Sequence, residues 1–231
     1  PTVRLNVLQR CAQLPLTDRE RVLYPRLLEA MGSTLPDESA AAADAVITTY
    51  SRSEATLLGE AFRGLLPNRR ALQTAVDALR SAVGRSRGYL LPAVRAVLSA
   101  LAADPLATSL RLDLAVQALP WEELALLLTQ AAQVDELHPD ALGVAVSSIA
   151  TAAYRSDAAG LGELEAALSG SADDRLRRVA LEALTALADA RGWDAERLAR
   201  LDRFRQDASP LVAAAAQFTF PPLAGEVDAD D

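Results

Sequence analysis

Asp173-Asp174-Arg175-Leu176-Arg177-Arg178-Val179-Ala180-Leu181-Glu182-Ala183-Leu184-Thr185-Ala186-Leu187-Ala188-Asp189-Ala190 reads as a helix at both ends and along its length. Leu176, Val179, Leu184 and Leu187 fall on one face at the 3.6-residue period, not on one face of a period-2 strand. Two acids at the start complement the positive end of a helix dipole. Gly192 stands just past the end, where a residue of positive φ is favoured. The spacing predicts a helix over 173–190, followed by a second over 195–206 whose stripe is Leu198, Leu201 and Phe204. Val179, Ala180, Leu184 and Leu201 are expected to share one core. The frame Asp174-x4-Val179-Ala180-x2-Ala183 returns further along as Asp207-x4-Val212-Ala213-x2-Ala216.

The same punctuation runs through the rest of the chain. Thr17-Asp18-Arg19-Glu20 has capping-box spacing. Pro36, Pro92, Pro120, Pro139 and Pro210 each stand ahead of a helix-forming run, where a missing N–H costs nothing. Gly84 and Gly170 mark ends as Gly192 does. Leu72, Val76, Leu79 and Val83 make another stripe. Helices are predicted near 3–14, 18–31, 37–50, 54–65, 69–83, 92–103, 107–119, 121–133, 140–154, 159–168, 173–190, 195–206 and 210–217. Pro25 is expected to kink or split the second of these, because it removes a helix hydrogen bond and clashes with the preceding turn.

Short helices on short connections suggest antiparallel pairs, and the sequence repeats weakly at that scale. Ala75-Val76-Asp77-Ala78-Leu79, Ala115-Val116-Gln117-Ala118-Leu119 and Ala180-Leu181-Glu182-Ala183-Leu184 share one pattern, at intervals near one and two helix pairs. The 170–220 stretch resembles HEAT repeats, in which an Asp opens the second helix of a pair and a Val-Arg-x2-Ala-like run follows. Here Arg177 and Arg178 precede Val179 instead of following it, and the copy at 207–216 has no Arg. The resemblance is arguable over 68–135 and poor before residue 60. It implies an all-α, right-handed α-solenoid of antiparallel helix pairs, about 12–13 helices, occupying 1–223 as one repeat domain. A compact non-repeating helical bundle is the alternative. Residues 224–231, Ala-Gly-Glu-Val-Asp-Ala-Asp-Asp, have no buriable face and read as a disordered acidic tail.

Composition agrees with helices. Of 231 residues 48 are Ala and only two are Ile, Ile47 and Ile149, so the β-branched runs that strands favour are missing. No apolar stretch reaches the roughly 18 to 20 residues of a membrane span, and Pro1-Thr2-Val3-Arg4 lacks the apolar core of a secretory signal. Cys11 is the single cysteine, which excludes an intrachain disulfide and fits a reducing, cytoplasmic setting. All 23 basic residues are Arg, a choice that GC-rich coding explains as well as any role.

Catalytic patterns are absent from the sequence. The one imidazole, His138, precedes Pro139 and reads as a loop residue at a helix start. Cys11 is expected on the core face of an apolar helix, with nothing to stabilise a thiolate. Glu122-Glu123, Asp135-Glu136 and Asp173-Asp174 are adjacent pairs, which point about 100° apart on a helix and do not converge on one ligand; helix-start acids are their ordinary role. With no Lys, a standard P-loop is excluded. No metal ligand set and no cofactor is expected.

Charge is the feature that stands out. From Arg63 to Arg95 seven Arg face one acid, Asp77, a balance of +6, whereas Val116 to Asp174 holds one Arg against ten acids, a balance of −9. The first segment is either a solvated face or a patch built from Arg69, Arg70, Arg85 and Arg87, with Tyr89 beside it. Such a patch is expected to be solvent-facing and to meet an acidic protein partner. Trp121 and Trp193 sit at helix junctions, where a ring packs over the turn; for Trp121 a contact with a partner is the second reading. The resulting first expectation is a non-enzymatic protein–protein interaction scaffold, or a helical-repeat module of a larger assembly. Nucleic-acid or phospholigand binding through the 63–95 cluster is disfavoured by overall acidity but stays open. A carboxylate-based enzyme or cofactor-handling helical protein is the third reading.

Overall fold

A computed structural model of the chain describes residues 2–13, 23–50, 55–155 and 157–221. Among these the regular elements are helical and no strand occurs. The α-helices are α1 Thr2–Gln13, α2 Tyr24–Met31, α3 Pro36–Tyr50, α4 Ala55–Leu65, α5 Arg69–Leu101, α6 Thr108–Ala118, α7 Trp121–Gln133, α8 Pro139–Ala152, α9 Leu161–Leu168, α10 Asp174–Arg191, α11 Ala195–Arg205 and α12 Pro210–Gln217. Short 3-10 turns, Pro105–Ala107 and Ala158–Gly160, lead into α6 and α9. The chain divides between Leu119 and Pro120 into two compact units.

In the first unit α4 lies against α5 so closely that a Cβ on Gly59 would stand 2.9 Å from the Ala96 carbonyl oxygen, which requires glycine there. Leu58 and Phe62 of α4, Leu72, Val76 and Leu79 of α5, and Leu112 of α6 are buried together with Val94 and Val97. α3 packs on α1, α2 and α5. The Tyr24 hydroxyl donates to the Leu57 carbonyl at 3.1 Å, and its ring meets Tyr50 edge-on at 4.6 Å.

In the second unit α10 is the central element, packing on α7, α8, α9, α11 and α12. Val179, Ala180, Leu184 and Leu201 are all buried, as the face reading expected. Asp173, Asp194 and Ser209 cap α10, α11 and α12 by accepting backbone N–H bonds, which satisfies donors that a helix start leaves orphaned.

The boundaries differ from expectation in several places. α5 consists of two helical segments that meet in a kink at Ser86, φ −155° and ψ 50°, two residues past Gly84. A break thus falls near the expected stop, but no loop spans 84–91, and Pro92 lies inside the second segment instead of ahead of it. Val83, Leu90, Ala93 and Val94 are buried on both sides of that break, so packing holds the second segment through Pro92, which propensity alone reads as a boundary. Pro25 stands in the first turn of α2, where its missing N–H has no partner to lose; the earlier part of the predicted 18–31 run lies outside the described residues. Gly170 follows α9 without a positive φ; among the described glycines only Gly192, at φ 90°, has one. The Thr17–Glu20 capping box and the 224–231 tail lie outside the described residues.

Side-chain contacts between elements recur at one separation. In the first unit Arg4 pairs with Glu38 at 3.5 Å, Asn68 donates to the Gly32 carbonyl at 3.3 Å and Arg80 pairs with Asp113 at 2.9 Å. In the second, Asp135 meets Arg175 at 2.6 Å, Glu165 meets Arg200 at 2.7 Å, and the Ser209 hydroxyl donates to Asp174 at 2.6 Å. The partners in each contact stand about the length of a helix pair and its turns apart, from 33 residues for Arg80 and Asp113 to 40 residues for Asp135 and Arg175.

Candidate functional site

The four arginines expected to form one exposed patch part company. Arg69, the first residue of α5, turns to an ion pair with Asp104. Arg87 donates from Nε to the Ala118 carbonyl at 2.8 Å and from Nη2 to the Leu119 carbonyl. These carbonyls end α6 and have no intrahelical donor, and the planar fork of a guanidinium supplies two at once. Arg87 therefore corrects the solvent-facing assignment, and Arg69, whose side chain stays 41% exposed, is neutralised instead of free: the groups that hold them lie 31 to 32 and 35 residues further along the chain. Arg80 is likewise placed between Asp77 and Asp113, at 2.9 Å from each.

Arg63, Arg70 and Arg85 remain exposed, and none is in an ion pair among the described residues. Arg70 and Arg85 stand about 22 Å apart along the helix at its ordinary rise, so they are two separate charges and not a cradle. Arg85 lies close enough to the half-buried Asp44 of α3 to oppose the burial that pushes that carboxyl above its ordinary pKa. Tyr89 is 49% exposed. Arg87→Ala should lower stability by about 1 to 3 kcal/mol, because it leaves helix-end carbonyls without charged donors. Arg70→Ala should move stability by less than about 0.5 kcal/mol. Urea melts of the two variants check the contrast; equal effects would mean that Arg87 is as free as Arg70.

Trp121 opens α7 in the second unit and is only 5% exposed. Its Nε1–H donates to the Asp157 carbonyl at 2.8 Å, and the Arg155 guanidinium carbon stacks 3.8 Å from the ring centroid. Arg155 also pairs with the Asp157 carboxylate at 2.8 Å. The ring is closed in from one side by Gly160, whose added Cβ would fall 2.1 Å from Trp121 Cδ1. The packing role holds for this ring, and its polar atom is already engaged. Trp193 is half-buried and donates to Asp189 Oδ1 at 3.1 Å.

Three of the ten acids of 116–174 are answered by arginines from beyond that window. Arg175 joins Asp135 and Asp173, and Arg200 joins Glu165. Arg177 bonds both oxygens of Asp207 at 2.7 and 2.9 Å, and those hydrogen bonds hold the Asp207 carboxyl below its ordinary pKa; Arg175 does the same for Asp173. Counted by unit, the first has 14 Arg against 11 acids, +3, and the second 9 against 20, −11.

The candidate catalytic groups have structural partners. His138 caps α8, its Nδ1 accepting from the Ala141 N–H at 3.4 Å. Glu122, Glu123 and Asp174 stand in first helical turns. Asp135 does not: it follows α7 at φ 58° and reaches Arg175 instead. Cys11 is only partly buried, because the face it occupies on α1 borders a shallow hollow lined also by Val7, Leu8, Leu23 and Leu27. Among the described residues no group of three or more His, Cys, Asp or Glu could hold a metal ion, and no helix is long and apolar enough to cross a membrane.

The sequence reading missed three aromatics that the fold leaves outside. Tyr154 is 93%, Phe218 78% and Phe220 79% exposed. One signal was available: Phe218 and Phe220 stand between the end of α12 and Pro221-Pro222, beyond any helical face that could bury them. The described residues thus define an all-helical chain with charged and aromatic surface features. No family model matches it, and neither a curated protein nor a solved structure does.

Proposed function

We propose that the chain is a non-enzymatic interaction module that binds an acidic protein partner through the α5 face. The observation that carries this reading is the pair Arg70 and Arg85, which hold exposed positive charge on a unit of net +3, whereas Arg69 and Arg80 are neutralised by carboxylates and Arg87 is held by the α6 carbonyls. The engagement of His138 and of the carboxylates in caps and ion pairs supports a non-catalytic role. The recurrence of contacts between residues one helix pair apart supports stacked pairs of the HEAT type, a solenoid built from repeats that touch their neighbours. A reducing, cytoplasmic setting belongs to the same reading.

Binding of a fluorescent oligoglutamate peptide to the full chain tests it. Arg70→Glu with Arg85→Gln should weaken binding about tenfold at low salt, the lower end of what steering by like charges supplies, and the difference should shrink as salt shortens the screening length. Gln is chosen at 85 because a second carboxylate beside Asp44 would destabilise the fold. Unchanged affinity would make α5 a solvated face only. Strong retention on heparin without peptide binding would favour the phosphate-backbone reading, which wide spacing of the two charges and the loss of Arg69 and Arg87 to internal bonds disfavour.

A further inference from the structure

A different surface, on the second unit, has the opposite chemistry. The face of α10 that carries Glu182 and Asp189 floors two hollows of about 410 and 140 Å³ that share those two residues. Phe218 and Phe220 wall the larger hollow and Tyr154 the smaller. Three exposed aromatic rings around two hollows with a shared floor are unusual on a water-facing surface, where single apolar side chains need no explanation but several close to one site do.

The backbone that carries the phenylalanines is held in place. Arg205 donates to the Ala216 carbonyl at 3.3 Å and to the Thr219 carbonyl at 3.0 Å, and the Thr219 hydroxyl donates to the Ala215 carbonyl at 3.3 Å. The backbone between Phe218 and Phe220 is therefore fixed from below while both rings stay outside. Fixing the backbone beneath the rings removes part of the conformational cost of binding there.

Charge selects the occupant. Glu182 is matched by Arg178 at 3.0 Å. Asp189 is exposed and has the Trp193 N–H, a neutral donor, at 3.1 Å. The hollows thus keep a net negative charge, on a unit whose balance is −11. Aromatic faces next to carboxylates attract guanidinium and ammonium groups. The chain's own residues 222–231 carry four acids and no base, the wrong sign for this surface.

We infer that this groove docks a short basic segment of a partner protein, an Arg- or Lys-bearing stretch with apolar neighbours, its cation set against Asp189 and the rings and its apolar residues against Phe218 and Phe220. The site is separate from the α5 face and takes a ligand of opposite charge.

Panning a library of short random peptides on the full chain provides the probe. Enriched peptides should combine Arg or Lys with aliphatic or aromatic residues. Their affinity should fall about tenfold in Phe218→Ala/Phe220→Ala and severalfold in Asp189→Asn, the range that an aromatic–cation contact supports, and should weaken with salt. Arg70→Glu/Arg85→Gln should leave it unchanged, so failure of this groove and failure of the α5 reading show up in different variants. The substituted side chains are exposed, and thermal melts should match the parent. Enrichment of acidic or neutral peptides, no enrichment, or full binding in both groove variants overturns the assignment. So does self-association of the chain in sedimentation that the Phe variants abolish, since the groove would then hold a second copy.

Discussion

Trp121→Ala is expected to destabilise the second unit by about 3 to 5 kcal/mol, the cost of removing a large buried ring and leaving a cavity. The ring is 5% exposed, donates to the Asp157 carbonyl at 2.8 Å and stacks under Arg155. Its loss therefore also strips the Asp157 carbonyl of a donor and the Arg155 guanidinium of a surface. Trp121→Phe separates these contributions: it keeps most of the apolar area and should cost about 0.5 to 1.5 kcal/mol, through one lost hydrogen bond, because the Asp157 carbonyl keeps the Gly160 N–H at 3.0 Å. Gly160→Ala supplies an independent check, because its new Cβ would sit 2.1 Å from Trp121 Cδ1. It should be clearly destabilising alone and nearly neutral once residue 121 is Ala, a coupling that a double-mutant cycle in urea measures. Additive effects would mean that the two residues do not touch.

Leu184→Ala is the second large effect, about 2 to 5 kcal/mol. Leu184 is 1% exposed in the middle of α10, with Val179, Ala180 and Leu201 at 0%. Helix α10 packs on five other helices, and partners on several sides leave little scope for collapse into the space, which favours the upper part of the range. Leu198→Ala, at 39% exposure on α11, should cost well under half as much. A urea-melt difference for Leu184→Ala below about 0.5 kcal/mol, the scale of a surface substitution, would place the leucine on the wrong face of α10.

Helix existence was written locally and was legible. Residues 173–190 carry their own caps, stripe and terminating glycine, and α10 follows them to within a residue. The echo of the Asp174 frame at Asp207 was also legible as pattern, though its physical content, Arg177 on Asp207 and Ser209 on Asp174, was not. Gly84 was legible as the approach to a break, which falls at Ser86, whereas Pro92 states only a local preference of about 3 kcal/mol that burial of Leu90, Ala93 and Val94 around it overrides.

The site was much less legible, because whether a charge is free depends on what lies opposite it. Counting Arg63 to Arg95 in sequence finds one acid. Folding brings Asp104 to Arg69, Asp113 to Arg80 and the α6 carbonyls to Arg87 from outside that window, leaving Arg70 and Arg85 among the surface charges. Exposure of Tyr154, Phe218 and Phe220 is decided in the same way. Composition, caps and periodicity act within a few residues, so the helical character of the chain and the places of most of its helices could be read along it. Electrostatic neutralisation and burial act between residues a whole helix pair apart, so which arginines and aromatics stand free to face a partner was settled only when those pairs came together.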